Sequence, residues 1–362
     1  MKYVDEYRDP QLAQEIVAAI RMVATRRWVL MDVCGGQTHG LLRYGIEEVL
    51  EDCVELIHGP GCPVCVTPAE AIDFAQALAL APDVLLTSFG DMLRVPGSQR
   101  SLLDARSSGG EVQIVYSPLD AVELARTQPD RNIVFFGVGF ETTAPSTALA
   151  VLQAERLGLT NFSVLVSHVR VLPAMEALLL DPDHRIEGFL AAGHVCTIAG
   201  YEDYDSFCQR FQVPVVITGF EPVDLLNGIL CAVQMLERGR AEVMNRYARS
   251  ARRAGNPAAQ RAVAQVYEIA PCEWRGFGTI PAGGLRMRQR FQAFDARLRF
   301  ADLRAGGLPT REITVCQSGA VMAGRIKPGQ CPYFAKECTP DSPLGAPMVS
   351  SEGACAAYFR YH

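Results

Sequence analysis

Short apolar segments of strand length alternate with segments of helical periodicity along most of the chain. The predicted strands of a first series are residues 28–33, 54–57, 84–87 and 112–115. Those of a second series, which begins near Asn132, are residues 133–138, 163–166, 188–191 and 213–217. Strands that alternate with helices form parallel sheets, because each helix returns the chain to the starting edge of the sheet. The pattern therefore predicts an α/β fold.

The pattern changes near Leu236. Arg-rich helical segments follow, then a Gly/Pro-rich stretch at residues 271–284, and finally a tail with four cysteines and little periodicity. An irregular tail of this kind needs a cross-link to stay folded. We therefore predict three domains: α/β domains at residues 1–125 and 126–235, and a smaller domain at residues 236–362.

Composition and charge exclude several classes of protein. Hydrophobic residues make up 49% of the 362 residues and charged residues 20%, which is typical of a globular protein. The net charge is −6, whereas proteins that bind nucleic-acid phosphates are usually basic. No apolar run reaches the roughly 18 residues of a membrane span. The polar N-terminus is unlike a signal peptide, so we expect a cytoplasmic protein that contacts neither nucleic acid nor membrane.

The chain contains 12 cysteines, an unusual number for a protein expected in a reducing compartment. Cys34, Cys62 and Cys65 each lie just after a predicted strand and just before a predicted helix. Neighbouring βα units would place the three sulfurs on one edge of a parallel sheet, where ligands bind in this fold class. A helix N-terminus also favours the thiolate, which is the form that binds metals and attacks disulfides.

The pair Cys62 and Cys65 forms a C-x-x-C motif at a helix start. The motif favours a redox or iron-binding dithiol, with a zinc site or two buried thiols as alternatives. Cys34 is either a structural residue or a reactive one, and His39 is either its proton partner or a helix-capping or core histidine. Thr67 is predicted to cap the following helix, with Glu70 completing a capping box.

The tail cysteines are Cys316, Cys331, Cys338 and Cys355, and the gaps between them are wide. Four thiolates suit either zinc or a 4Fe–4S cluster, and the spacing alone does not separate the two. The other cysteines are predicted to be packing residues. They are Cys53, Cys196, Cys208, Cys231 and Cys272.

Gly-Phe-Glu occurs twice, at residues 139–141 and 219–221, each time where a strand precedes a helix. Glu141 is either a proton relay or a helix-end charge. His168 and His194 also end strands and are weaker candidates. The second occurrence of Gly-Phe-Glu is weak support for an internal repeat.

Four motifs of the chain occur together in one known family. They are residues 34–39 (Cys-Gly-Gly-Gln-Thr-His), 59–65 (Gly-Pro-Gly-Cys-Pro-Val-Cys), 139–143 (Gly-Phe-Glu-Thr-Thr) and 350–355 (Ser-Ser-Glu-Gly-Ala-Cys). Together they resemble the HypD family, whose members help to assemble the active site of NiFe-hydrogenases. The resemblance extends from about Trp28 to the C-terminus, and the first two motifs in combination are highly specific.

This resemblance implies two similar α/β domains and a third, smaller domain that holds a 4Fe–4S cluster. It assigns the iron-ligating cysteine to Cys34 and the dithiol to Cys62 and Cys65, either as a redox pair or as further metal ligands. The cluster ligands are assigned to Cys316, Cys331, Cys338 and Cys355.

The resemblance also implies partners. With a HypC-like chaperone, the protein would form the scaffold on which an iron acquires two cyanides and one carbon monoxide, and a HypE-like protein would deliver the cyanide. We expect the dithiol and the cluster to supply electrons, with His39 and Glu141 as candidate proton carriers. The alternative function is an iron–sulfur protein-disulfide reductase.

Overall fold

A computed structural model describes residues 5–305 and 315–361 of the chain. Every strand predicted from the sequence is present, with small differences at the ends. The strands are β1 (Trp28–Asp32), β2 (Val54–His58), β3 (Val84–Ser88), β4 (Val112–Ile114), β5 (Asn132–Gly139), β6 (Phe162–His168), β7 (Gly188–Ala192), β8 (Val215–Thr218), β9 (Val243–Asn245), β10 (Tyr267–Trp274) and β11 (Gly278–Met287).

Helices connect these strands and cover the sheets. The α-helices are α1 (Pro10–Val23), α2 (Gly35–Arg43), α3 (Ile46–Val49), α4 (Ala69–Leu80), α5 (Leu102–Ser107), α6 (Pro118–Thr127), α7 (Ala144–Arg156), α8 (Val171–Leu179), α9 (Gly193–Ala199), α10 (Asp203–Phe211), α11 (Pro222–Glu237), α12 (Pro257–Val266), α13 (Ala296–Arg299), α14 (Ala301–Ala305), α15 (Ser318–Met322), α16 (Ala346–Val349) and α17 (Ala354–Tyr361). Short 3₁₀ helices occur at Asp5–Tyr7, Gly90–Arg94, Gln289–Phe294 and Pro328–Gln330. None of the helices in the described ranges is both long and apolar enough to cross a membrane.

Two parallel sheets organise the molecule, which confirms the α/β class. Sheet A has the strand order β2-β1-β7-β8-β9, and sheet B has the order β4-β3-β5-β6. When the strands of each sheet are counted in chain order, both sheets follow the arrangement 2-1-3-4, and sheet A adds a fifth strand. Each sheet therefore has a switch point next to its first strand, between β1 and β7 in sheet A and between β3 and β5 in sheet B.

The predicted domain boundaries at residues 125 and 235 do not match the way the strands are divided between the two sheets. β1 and β2 share a sheet with β7, β8 and β9, and all of sheet B lies between them in the sequence. Residues 236–362 do not form a separate unit either, because β9 belongs to sheet A and the β10–β11 hairpin packs on β6. Hydrophobic periodicity identifies strands, but it carries no information on which distant strand each one pairs with.

A shared core holds the two sheets together. Successive strand residues face opposite sides, so Met31 in sheet A and Phe136 in sheet B belong to one cluster between the sheets. Their neighbours Leu30 and Phe135 belong to the two outer clusters. Four of the cysteines predicted to be packing residues are buried, and the fifth is partly buried. The buried ones are Cys53, Cys196, Cys208 and Cys231, and the partly buried one is Cys272.

Candidate thiol and metal site

Cys34 lies at the switch point of sheet A. It follows β1 as the residue before α2, and the preceding Val33 N–H donates a hydrogen bond to the Leu190 carbonyl of β7 at 3.2 Å. β7 leads into α9, where Nδ1 of His194 lies 3.8 Å from Sγ of Cys34. Ligands of open α/β sheets bind in this crevice, so Cys34 occupies the position that the fold class favours for chemistry.

The C-x-x-C turn follows β2 and packs directly on the Cys34 turn. The Gly35 N–H donates to the Gly61 carbonyl at 3.2 Å. A Cβ atom on Gly61 would lie 2.3 Å from both the N and Cα atoms of Cys34, so this approach requires glycine. The two turns of the motifs at residues 34–39 and 59–65 therefore form one continuous edge of the sheet.

Cys62 and Cys65 are joined by a disulfide, with their Cα atoms 5.3 Å apart. Both are buried, with 3% and 1% of their surfaces exposed. The predicted helix cap next to them is wrong. The Thr67 hydroxyl donates to the Pro63 carbonyl at 2.9 Å within the turn, and α4 begins after Pro68 without a side-chain cap. Thr67 thus stabilises the C-x-x-C turn rather than the helix.

Burial dominates the electrostatics of Cys34. It raises the pKa of the thiol to about 12, and the charge of Glu352 adds to the effect. The N–H groups of Gln37 and Gly36 lower the pKa, as a helix N-terminus should, but they are outweighed. The predicted net lowering of this pKa is therefore wrong for the free thiol. A cation bound at Cys34 would supply the missing compensation for the thiolate.

The four tail cysteines line one cavity, together with the side chains of Tyr333 and Phe334. The Leu344 N–H lies 3.4 Å from Sγ of Cys338. Burial raises the pKa of Cys355, and the nearby Cys316, Cys338 and Cys331 raise it further. In the described ranges no three His, Cys, Asp or Glu side chains are arranged to hold a single metal ion. The four cysteines share the lining of one cavity without such an arrangement.

The tail packs onto the Cys34 edge. A Cβ atom on Gly35 would lie 2.2 Å from the Glu352 carbonyl oxygen, so the loop before α17 sits directly on the start of α2. α17, which carries Cys355 in its first turn, packs along α2. The Arg94 guanidinium also donates to the Val349 carbonyl at 3.1 Å. The segment that carries the tail thiols is thus joined to the segment that carries Cys34.

His39 does not face Cys34 in this arrangement. Its Nδ1 lies 3.1 Å from the Tyr361 hydroxyl, and the two rings meet edge to face. Burial lowers the pKa of His39, and the neighbouring Arg360 and Arg43 lower it further. The histidine next to the Cys34 sulfur is His194, whose pKa is also lowered by burial.

A buried chain of charged groups below Cys34 was missed at the sequence level. Asp32 and His58 are the last residues of β1 and β2, they pair in register, and Oδ2 of Asp32 lies 2.5 Å from Nδ1 of His58. Nε2 of His58 donates to Glu47 at 3.3 Å, and Glu47 also binds Lys327 and the Tyr358 hydroxyl. The sequence does carry one sign of this chain, because each of two consecutive apolar strands ends in an ionisable residue, Asp32 or His58.

Glu141 follows β5 in sheet B and contacts neither Cys34 nor the C-x-x-C turn. Its Oε1 accepts a hydrogen bond from the Val171 N–H at 3.0 Å, whereas its Oε2 is buried without a partner in the described structure. Burial raises the pKa of this carboxyl. It lines a cavity of about 340 Å³ together with Arg170 and Tyr204. Glu141 is therefore not part of the Cys34 site.

Comparison with known proteins identifies the family. A family model described as HypD, hydrogenase formation hypA family, matches residues 11–362. The chain belongs to the HypD family. Its members include proteins named hydrogenase maturation factor, and this is the function that the match supports.

Individual HypD relatives match along nearly their whole length. A hydrogenase maturation factor HypD from Rhodobacter capsulatus is 47% identical over 370 residues, which cover 100% of this chain and 98% of the relative. The Azotobacter vinelandii HypD is also 47% identical over 370 residues, with coverage of 100% and 97%. The Escherichia coli K12 HypD is 42% identical over 369 residues, with coverage of 100% and 98%.

Proposed function

We propose that this HypD-family member is the scaffold on which, together with a HypC-like chaperone, an iron acquires two cyanides and one carbon monoxide. Cys34 holds the iron, which is the substrate of the assembly, and a HypE-like protein delivers the cyanide. The observation that carries the proposal is the meeting of three elements at one sheet edge. Cys34, the Cys62–Cys65 pair and the tail with Cys355 are joined there by the close contacts of Gly61 and Gly35.

The chemistry of Cys34 suits this cargo. Iron(II) that carries cyanide and carbon monoxide is electron-rich, and a thiolate is a suitable soft ligand for it. The raised pKa of Cys34 means that the metal must displace the thiol proton, and His194 is the nearest base to receive it at 3.8 Å. We assign His194 this role in place of His39.

The four tail cysteines are suited to hold a 4Fe–4S cluster. They line a common cavity. The nearby tail thiols add to burial in raising the pKa of Cys338 and Cys355, so a cationic centre would relieve the repulsion between the thiolates. When bound, such a cluster supplies one-electron transfer. Tyr333 and Phe334 add aromatic side chains to the lining of the cavity.

The Cys62–Cys65 pair is suited to store electrons. Reduction of the disulfide consumes two electrons and two protons and gives two thiols, and the reverse step returns them to the assembly site. In the disulfide form neither sulfur is a free ligand, so we assign iron binding to Cys34 and retain Cys62 and Cys65 as ligands only for the reduced state.

The alternative, a protein-disulfide reductase, requires that a substrate disulfide reach one of these sulfurs. Cys62 and Cys65 are 3% and 1% exposed, which hinders the in-line attack that thiol–disulfide exchange with another protein requires. Burial thus favours an internal electron store over a reductase that acts on other proteins.

The test is anaerobic infrared spectroscopy of the full-length protein purified with its HypC-like partner. We expect bands of metal-bound cyanide and carbon monoxide, and we expect Cys34→Ser to lose them while the tail keeps its cluster absorbance. A complex with full iron content but without these bands would contradict the proposal, and so would bands that persist in Cys34→Ser.

Cys231→Ser is the matched control for the infrared test. Cys34 and Cys231 are 5% and 6% exposed, so both changes place a hydroxyl in a buried position, at a cost of about 1 to 2 kcal/mol. The control variant should keep the bands. Loss of the bands in both variants would trace the effect to stability rather than to iron binding.

A further inference from the structure

The buried groups below Cys34 form an unbroken path from the tail to the Cys34 turn. At one end the Thr38 hydroxyl lies 2.6 Å from Oδ1 of Asp32 and 3.3 Å from the Cys34 carbonyl oxygen. At the other end the Tyr358 hydroxyl donates to both carboxylate oxygens of Glu47, at 2.7 and 2.8 Å. His58 joins the two halves. We call Asp32, His58 and Glu47 the carboxylate–imidazole chain.

Burial leaves this chain few alternative arrangements. Asp32, His58 and Glu47 are 0%, 3% and 7% exposed, so water cannot replace a lost partner. Two carboxylates face one imidazolium, and the Lys327 ammonium supplies the second positive charge. Buried charges of this kind are tolerated only when they are paired and hydrogen-bonded. A shift of one member therefore forces its neighbours to shift.

The charge state of His58 agrees with this geometry. Burial alone would lower its pKa, but Asp32 and Glu47 outweigh burial and raise the pKa to about 9. Both ring nitrogens therefore carry protons near neutral pH, and each donates to one carboxylate. The ring can donate to Asp32 and to Glu47 at the same time only in this form.

The two ends of the path belong to the two halves of the site. Thr38 lies on α2, one turn after Cys34, and Tyr358 lies on α17, one turn after Cys355. Tyr361 on the same helix binds His39 instead and is outside the chain. The position of the tail helix is thus linked to the backbone of Cys34 through these buried contacts, in addition to the direct packing of α17 on α2.

We propose that His58 is a positioning residue for Cys34, which couples the docking of α17 to the conformation of the Cys34 turn. This inference rests on the proposed function, in which Cys34 holds iron and α17 supplies a cluster ligand. The chain keeps Cys34 buried and oriented while the tail is docked. When the Tyr358 end is released, the Cys34 turn opens more often.

The test is a double-mutant cycle that reads the alkylation rate of Cys34. Iodoacetamide reacts with the full-length, anaerobically purified protein, and peptide mass spectrometry follows Cys34. We expect His58→Gln to raise the rate about tenfold and Tyr358→Phe about fivefold. In the double variant the rate should stay near that of His58→Gln, because the loss of His58 already interrupts the hydrogen bonds between Tyr358 and Thr38.

A multiplied effect of about 50-fold in the double variant would overturn the proposal, because it would show independent contributions. So would unchanged rates in both single variants. If His58→Gln does not fold, Glu47→Gln takes its place in the cycle with the same expectations.

Two controls separate positioning from general stability. Tyr361→Phe removes a hydroxyl from the same helix outside the chain, so its effect should multiply with that of His58→Gln. Cys231, buried in α11, is the internal reference, and its alkylation rate should not change. An equal rise at Cys34 and Cys231 would show loosening of the whole fold and overturn the proposal.

This assay requires no iron, no infrared bands and no partner protein. A failed infrared test with a non-additive alkylation cycle would reject the proposed function and retain the coupling. Infrared bands together with an additive alkylation cycle would support the proposed function and reject the coupling.

Discussion

Sheets A and B have the same strand order, yet their switch points carry different groups. In sheet A the crevice between β1 and β7 holds Cys34 and His194, and the tail covers it. In sheet B the corresponding crevice lies between β3 and β5, and Glu141 follows β5 beside a cavity. The shared order provides a crevice in both sheets, but the residues placed there determine the chemistry.

A second contrast concerns two buried histidines, each the last residue of its strand. His58 in sheet A lies between two carboxylates. His168 in sheet B is 1% exposed, and neither of its ring nitrogens has a side-chain hydrogen-bond partner in the described structure. Burial lowers the pKa of His168 to about 4, whereas the carboxylates raise that of His58 to about 9. Equal burial thus produces opposite charge states, depending on the neighbours.

The largest difference between the sheets should come from the glycine that lies two or three residues after the first strand, Gly35 in sheet A and Gly90 in sheet B. Gly35→Ala places a Cβ 2.2 Å from the Glu352 carbonyl oxygen, and this clash with backbone should lower the free energy of unfolding by about 3 to 4 kcal/mol. Gly90→Ala in sheet B places its Cβ 3.9 Å from the Ile114 side chain and should be nearly neutral. Urea unfolding compares the two, and equal costs would contradict the close tail contact.

Alkaline pH should weaken the fold through His58. Its folded pKa is about 9 against a reference value of 6.5, so its stabilising contribution is complete below pH 6.5 and is lost as the pH rises to 9. The free energy of unfolding should fall by up to about 3 kcal/mol over this range. The difference between wild type and His58→Gln isolates this slope, and parallel pH profiles would show that His58 is not charged in the folded state.

Acidic pH should weaken the fold through His168, in the opposite direction. Its folded pKa is about 4, so the unfolded chain takes up a proton first as the pH falls below 6.5. Stability should decrease by up to about 3 kcal/mol between pH 6.5 and 4, and His168→Gln should remove this part of the decrease. If the variant keeps the full acid sensitivity, other groups are responsible.

The smallest effect should come from two hydroxyls at helix starts. Thr67→Val removes the hydrogen bond to the Pro63 carbonyl and should cost about 1 kcal/mol, similar to the cost of removing the Ser117 cap of α6 in sheet B. Only Thr67→Val should also speed the reduction of the Cys62–Cys65 disulfide by dithiothreitol. If Ser117→Ala speeds that reduction equally, the Thr67 contact does not stabilise the turn.

Local features of this protein could be predicted from the sequence. The apolar runs before Cys34, Cys62 and Glu141 form β1, β2 and β5, because strand formation follows local apolar patterns that flanking turns delimit. The placement of Cys34 at a sheet edge followed from the same pattern, since parallel strands of neighbouring units end on the same side.

Features that depend on distant contacts could not be predicted. The pairing of β1 with β7 joins residues far apart in the sequence, so the division of strands between the sheets was wrong. The Gly-Phe-Glu echo does not mark equivalent positions, because the motif at residues 139–141 follows the third strand of sheet B and that at 219–221 the fourth of sheet A. His58 was missed because its importance depends on Glu47, Lys327 and Tyr358, which only the fold brings together.

The interleaved order of the strands determines when each part of the protein can fold during synthesis. All four strands of sheet B have left the ribosome once residue 168 has emerged, so that sheet can assemble early. β1 and β2 are made first, but they must wait for β7, β8 and β9, and the tail emerges last. The nascent chain therefore exposes Cys34, Cys62 and Cys65 to cellular thiols and oxidants for most of translation.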